Sequence, residues 1–425
     1  MYLQGVREVA EKPETFEKDF QFYRFAAYGF LKNLRLFEPF MILFFRSQGF
    51  DFLQIGVLYS IMEISTNLLE IPTGIFADTF GRRLSMVMSM SSYIASFLIF
   101  FFIPNFWAYA IAMVLFAMGD AFRSGTHKAL ILAYLKIKGW EHLKTMYYGA
   151  TRSWSQMGSA VNALLAGFLV AWYGNYRVVF AISLIPYVLN LINLATYPKE
   201  LDQFVKKKKK KTETLSDFIN MLKDPIILRA FMNSSIFMGV FKGTKDYLQP
   251  LLKDMAIALP VLLWLTGQQR TAIIVGIVYS VIYFINSFAS RNAYKVKDMA
   301  GDNLTGLINI LYLIGILGVT LAGVFYHIGW YYVAVLMFLV LYVLQNLRRP
   351  IMLDYISGII PAGSMATGLS VESQIKSLLA AALAPIMGAL ADKLGVGMAL
   401  AIVGGTALIV YPLVAVKNKR LSVND

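Results

Sequence analysis

The chain has no cysteine and only three histidines among its 425 residues. Without thiols it can form no disulfide, no thiolate metal site and no cysteine nucleophile. Of His127, His142 and His327, only His127 falls deep within an apolar segment. The motifs H-E-x-x-H, G-x-S-x-G and G-x-x-x-x-G-K-[ST] are all missing, which argues against zinc proteolysis, serine hydrolysis and direct use of ATP. Charge is scarce as well. Only 15% of residues are Asp, Glu, Lys or Arg, whereas a soluble domain carries about a quarter. These gaps predict a protein that is not an enzyme and that holds no cofactor and no metal.

What is present is apolar: 58% of the chain is hydrophobic and 14% aromatic. Each helical crossing of a bilayer takes about 20 such residues, so twelve crossings would use roughly 240. Apolar segments run at 22–47, 53–76, 84–103, 106–134, 145–172 and 176–197. After the six lysines Lys206 to Lys211 come six more, near 226–251, 270–289, 303–326, 330–347, 364–390 and 396–416. The reading is an all-α polytopic membrane protein with five parts: an N-terminal segment (1–21), a six-helix bundle (22–197), a Lys-rich linker (198–224), a second six-helix bundle (225–416) and a tail (417–425). Met1 to Phe20 is charged and lacks a signal-peptide core, so insertion is expected to be internal. Met255 to Leu265 is too short to cross and reads as an external or interfacial piece.

Lysine and arginine bias sets the expected orientation. With the N-terminus inside, Arg82 and Arg83, Lys136, Lys138 and Lys144, the linker, Arg291, Lys295 and Lys297, Arg348 and Arg349, and the tail all face the cytoplasm. Both termini are therefore expected to be cytoplasmic at the cell membrane. The net charge of +14 is absorbed by these loops and linker, and predicts no nucleic-acid partner. Trp107, Trp172, Trp330 and Tyr331 fall near span ends, as in an interfacial belt. Met86, Met88 and Met90 read as packing residues, in preference to soft-metal ligands.

After the second span the chain reads Gly74-Ile-Phe-Ala-Asp78-Thr-Phe-Gly81-Arg82-Arg83. Gly74 would permit close helix packing and Gly81 a tight turn, while Asp78 could cap a helix or pair with the arginines. The decapeptide resembles the signature loop G-x-x-x-D-x-x-G-R-R of the major facilitator superfamily (MFS). The resemblance implies two pseudo-symmetric six-helix bundles, a central cavity opened alternately to either side, and a monomer. The second half retains only traces of the motif at Ser287 to Ala293, and the fifth span lacks the Gly-Pro step of the antiporter pattern.

A charge at the bilayer centre costs about 2.5–3.5 kcal/mol on insertion scales, so intramembrane charges mark partners or a wet path. Lys32, Arg35 and Glu38 read as one face of the first helix, and Glu63, Asn67 and Glu70 as one stripe of the second. Asp120, Arg123 and His127 form a third stripe, and Arg152 lies one turn from Gln156. Lys242, Lys245 and Asp246 lie in the seventh span, the last two toward its outer end, and Glu372 and Lys376 make an i,i+4 pair in the eleventh. Glu38, Glu63, Glu70 and Asp120 are the candidates for proton or cation coupling. Lys32, Arg35, Arg123, Arg152 and Lys242 could instead hold an anion. The leading expectation is secondary transport of a small organic solute coupled to a proton or cation, with export slightly favoured. The alternative is uptake or exchange of a small organic or phosphorylated anion. A membrane sensor or enzyme is the least favoured class, since no output domain follows the last span.

Overall fold

The computed structural model describes residues 15–202, 223–301, 303–360 and 364–417. The lysine run and most of the linker and tail lie outside the described residues. Among the described residues, nine segments are long and apolar enough to cross a membrane. The first bundle comprises α1 (Phe20–Lys32), α2 (Met41–Ser47), α3 (Phe52–Phe80), α4 (Arg82–Phe102), α5 (Phe106–Arg123), α6 (Thr126–Ile137), α7 (Lys144–Tyr173) and α8 (Val178–Ala195). The second comprises α9 (Pro225–Thr244), α10 (Leu248–Ala258), α11 (Gly267–Ala300), α12 (Leu304–His327), α13 (Tyr331–Ile359), α14 (Met365–Leu394) and α15 (Val396–Val414). The three crossings that miss the apolar criterion are α1 with α2, the polar α7, and α9 with α10. Asp19 and Lys417 lie at the same end of the molecule, here called the basal end.

Three crossings are broken, and each break corrects a helical stripe read from the sequence. In the first, Asn33 to Phe37 leave the helix and a 3-10 turn follows at Glu38–Phe40. Lys32 and Glu38 therefore flank a break that contains Arg35, and the three do not share a helix face. In the fourth, Ser124 and Gly125 separate α5 from α6, with Gly125 in the left-handed region at φ 70°. Asp120 and Arg123 thus belong to one helix and His127 to the next. In the seventh, a 3-10 turn at Lys245–Tyr247 divides α9 from α10. Asp246 is buried there, not snorkelling at the surface. Met255 to Ala258 are the end of α10, so only Leu259 to Leu265 form the expected outer connection.

Two further basic clusters read as loops are helical. Arg348 and Arg349 lie within α13, which continues through Pro350 to Ile359, and Arg348 is buried. Arg291, Lys295 and Lys297 ride on the basal extension of α11, where Lys297 pairs with Asp354 at 2.7 Å. Met86 and Met90 are fully buried in the core, and Trp107, Trp172 and Trp330 are exposed near the outer ends.

The bundles touch along two seams, α3 against α14 and α7 against α11. Both are tightest in their outer halves. A Cβ on Gly56 would stand 2.3 Å from the Ala384 carbonyl oxygen, and one on Gly388 would stand 2.2 Å from that of Phe52. Only hydrogen fits between backbones that close. Asp392 seals the same corner: its two carboxylate oxygens accept the amides of Phe52 (2.9 Å) and Leu53 (2.7 Å), capping α3 from the other bundle. Among the described residues, the most basal hydrogen bond across the α3–α14 seam runs from Asn67 to the Gln374 carbonyl, at 3.5 Å. The outer end is closed, and the basal halves part.

Candidate functional site

A broken membrane helix exposes amides and carbonyls that lipid cannot satisfy, so partners must be supplied by protein or water. At the first break they come from distant side chains. Tyr187 donates to the Lys32 carbonyl (3.0 Å) and Asn162 to that of Arg35 (3.0 Å). Gln249 of α10 donates to the Glu38 carbonyl (3.0 Å) and accepts the Ile42 amide (2.8 Å). Gln249 is fully buried. It ties the first-span break to the helix that follows the seventh-span break, so the two discontinuities meet at mid-height. Corresponding interruptions in two halves are where transporters build binding sites.

Around the first break lies a charged cluster. Oδ1 of Asp120 accepts from Tyr93 Oη (2.5 Å), Arg123 (2.6 Å) and Arg35 (3.3 Å). Two guanidinium groups thus share one carboxylate. Tyr93 is fully buried, and a tyrosine in an aromatic span gave no sequence signal of this role. Lys32 and Arg123 line a neighbouring cavity of about 190 Å³ together with His127, Lys128 and Arg152. No Asp or Glu is among the lining residues. His127 is stacked on Tyr28 at 3.8 Å between ring centroids, which gives it a packing role.

The proposed carboxylates divide by environment. Glu63 of α3 receives Lys242 of α9 through both oxygens at 2.8 Å, an ion pair between the bundles. Glu70 is exposed on α3 and accepts only a long bond from Ser124 Oγ at 3.3 Å, apart from the other candidates. The Glu38 carboxylate has no hydrogen-bond or ion-pair partner among the described residues. It is close enough to interact electrostatically with Lys245, which pairs with Asp246 at 2.8 Å. Glu372 and Lys376 pair as expected, and Ser234 Oγ donates to Glu372 at 2.5 Å.

Charge exchange tests the inter-bundle pair. Glu63→Gln leaves Lys242 with no carboxylate, and should cost about 1–3 kcal/mol in the closed-outer state. The double reversal Glu63→Lys with Lys242→Glu should recover much of that loss. Equal thermal stability and transport in both single variants and the double would show the pair to be idle.

At the motif loop, Gly81 takes φ 98° between α3 and α4 and makes the tight turn. The residue capping α4 is Asp202, which accepts the Arg83 amide at 3.0 Å and stands 4.0 Å from its guanidinium. A Cβ on Gly81 would come within 3.0 Å of that carboxylate. Arg82 donates to the Ala129 carbonyl at 3.4 Å, and Arg83 to that of Tyr197 at 3.2 Å. Asp78 has no hydrogen-bond or ion-pair partner among the described residues, and Gly74 faces open space. The expected cap by Asp78 and close approach at Gly74 are absent with the basal end parted, because nothing across the seam reaches them.

The profile of the Major Facilitator Superfamily matches residues 25–373. Over 105 residues the chain is 35% identical to the uncharacterized MFS-type transporter YxaM of Bacillus subtilis (strain 168), a stretch covering 25% of this chain and 26% of that protein. The chain thus spans about a quarter of the length of that relative. Among solved structures, a mutant of the nucleoside transporter NupG aligns with TM-score 0.76 at 13% identity, over 92% of this chain and 98% of that one. A D-xylose–proton symporter aligns at 0.70 with 15% identity, over 94% and 98%. At such identities the likeness is one of fold. Because the profile spans most of the sequence, the chain belongs to the Major Facilitator Superfamily, as a multi-pass membrane transporter and not an enzyme.

Proposed function

We propose that the chain moves a small organic anion across the cell membrane by alternating access, as a monomer with both termini in the cytoplasm. The observation that carries this reading is the cavity beside the first break, where Lys32, Lys128 and Arg152, none of them paired with a carboxylate among the described residues, converge with Arg123, which shares Asp120 with Arg35. Cations gathered in a low-dielectric site repel one another and need hydration or a counter-charge. An anionic solute supplies it, and guanidinium forks suit carboxylate or phosphate. The basal clusters of lysine and arginine favour a cytoplasmic basal end, which makes the parted state inward-open. The bundles at 22–197 and 225–416 then rock about the seams, with the Gly74–Arg83 loop latching the basal side in the opposite state. Uptake or exchange fits this reading better than the export first favoured.

Proton coupling has its own support in Glu38. We assign it to Glu38 because its carboxylate has no hydrogen-bond or ion-pair partner among the described residues and sits where the two helix breaks meet, whereas Asp120 is held by three donors.

Proteoliposomes test both parts. Arg152→Gln, and Lys128→Gln beside it, should each weaken anion binding about 10- to 100-fold, the loss of one charge-assisted hydrogen bond. Arg123→Gln should do at least as much. Glu38→Gln should bind the anion normally yet move no protons with it. Unchanged anion affinity in all three cation variants would remove the anion reading; normal proton movement in Glu38→Gln would remove the coupling role.

A further inference from the structure

The cations of the proposed site all belong to the first bundle. The second bundle has a cavity of its own, about 460 Å³, between α9, α13 and α14. Two of its lysines are already neutralised: Lys242 by Glu63, and Lys376 by Glu372. Arg348 is not. Its side chain lies over the Phe237 ring at 4.3 Å and donates through one terminal nitrogen to Asn233. The residue is 3% exposed, and its Nε is buried without any hydrogen-bond partner. Among the described residues no carboxylate lies within ion-pair distance of it: Glu372, which also lines the cavity, is bonded to Lys376 and Ser234, and Arg349, exposed on the same wall, has no carboxylate partner either.

A structural role explains this arrangement poorly. Bonding Asn233 needs only a neutral donor, while burying a guanidinium costs several kcal/mol unless a counter-charge arrives. An unused donor on a fork built for two-point contact is the mark of a site awaiting an acceptor. Gln345 and Ser373, on the same walls, add neutral donors.

We propose that this cavity is a second anion subsite, and that the transported solute is a dianion with a negative group at each end, one held by each bundle. The inference rests on the anion reading above and sharpens it to dicarboxylates or phosphorylated carboxylates. It also gives binding a mechanical consequence. A ligand favours closure only by its extra affinity for the closed state, and a solute gripped from both sides gains contacts as the basal halves approach.

The test is calorimetry on the full-length protein in lipid nanodiscs. The probes are a series of α,ω-dicarboxylates of increasing chain length and the half-amide of each, which keeps one charge. In the wild type at least one dicarboxylate should bind about tenfold or more tighter than its half-amide. Arg348→Gln should reduce the dicarboxylate to the half-amide's affinity and leave the half-amide unchanged. Arg348→Lys, which keeps the charge but loses the fork, should fall between, and covers the case in which the glutamine variant fails to fold. Equal binding of dicarboxylate and half-amide by the wild type would overturn the two-ended site while leaving the anion reading standing. Loss of both ligands alike in the Arg348 variants would also overturn it. No binding of any anion to the wild type would overturn the anion reading and this inference together.

Discussion

Asp120→Asn is expected to cost the protein its stability before it costs any coupling. One oxygen of Asp120 accepts from Tyr93, Arg123 and Arg35. Asparagine keeps the shape and an acceptor but removes the charge. Arg35 and Arg123 are then left facing each other across a neutral group, with no other carboxylate bonded to either among the described residues. Removing one member of a buried ion pair costs about 3–5 kcal/mol, and partial exposure here places the effect near the lower end. The thermal midpoint should fall by several degrees, and substrate transport should fall with it. Glu38→Gln, which breaks no bond, should melt with the wild type. An Asp120→Asn protein of unchanged stability that still binds solute yet moves no protons would make Asp120 the coupling group and refute its role as a clamp.

Leucine at Gly388 or Gly56 should stop transport by holding the outer seam apart. The Cβ positions fall 2.2 and 2.3 Å from backbone oxygens on the facing helix, and backbone cannot swing aside as a side chain can. Overpacking such a contact costs about 1–3 kcal/mol, comparable to the few kcal/mol that separate alternating states. The population should therefore shift toward an outward-open form, with turnover below about a tenth of the wild type. Because the native chain has no cysteine, labels can be placed at will. Ser47→Cys and Lys393→Cys, both at exposed outer positions, allow spin labels to report the gap. A longer distance with transport lost is the expected result. An unchanged distance with normal turnover would mean that the outer α3–α14 seam is not the gate.

Much of this protein was legible in its sequence. Apolar length and spacing are local properties, and they set the helical membrane class; the family's fold came from the resemblance carried by the Gly74–Arg83 loop. The Glu372–Lys376 pair was legible because i,i+4 geometry is fixed within one helix. So was the tight turn at Gly81, since a single residue links two helices there. Arg348 carried a signal as well, but its charge suggested a loop where α13 runs on, and the basic-loop rule cannot distinguish a buried arginine from an exposed one.

The rest was decided by tertiary structure. Pro39 and Pro250 follow the breaks at residues 33–37 and 245–247 and lack the amides that would bond the Arg35 and Asp246 carbonyls, but membrane helices tolerate proline, and the periodicity of charge across the first span was compatible with an intact helix. The break stands because Asn162, Tyr187 and Gln249, between 127 and 211 residues away, satisfy the backbone groups it frees. In a bilayer those groups must find partners, and only the folded chain shows whether any are within reach. The same reason hid the sharing of Asp120 by two arginines, the bond between Glu63 and Lys242 across the bundles, and the replacement of Asp78 by Asp202 as the cap. The sequence by itself determined which residues carry charge into the membrane; packing between distant helices decided which of those charges are neutralised and which are left for a solute.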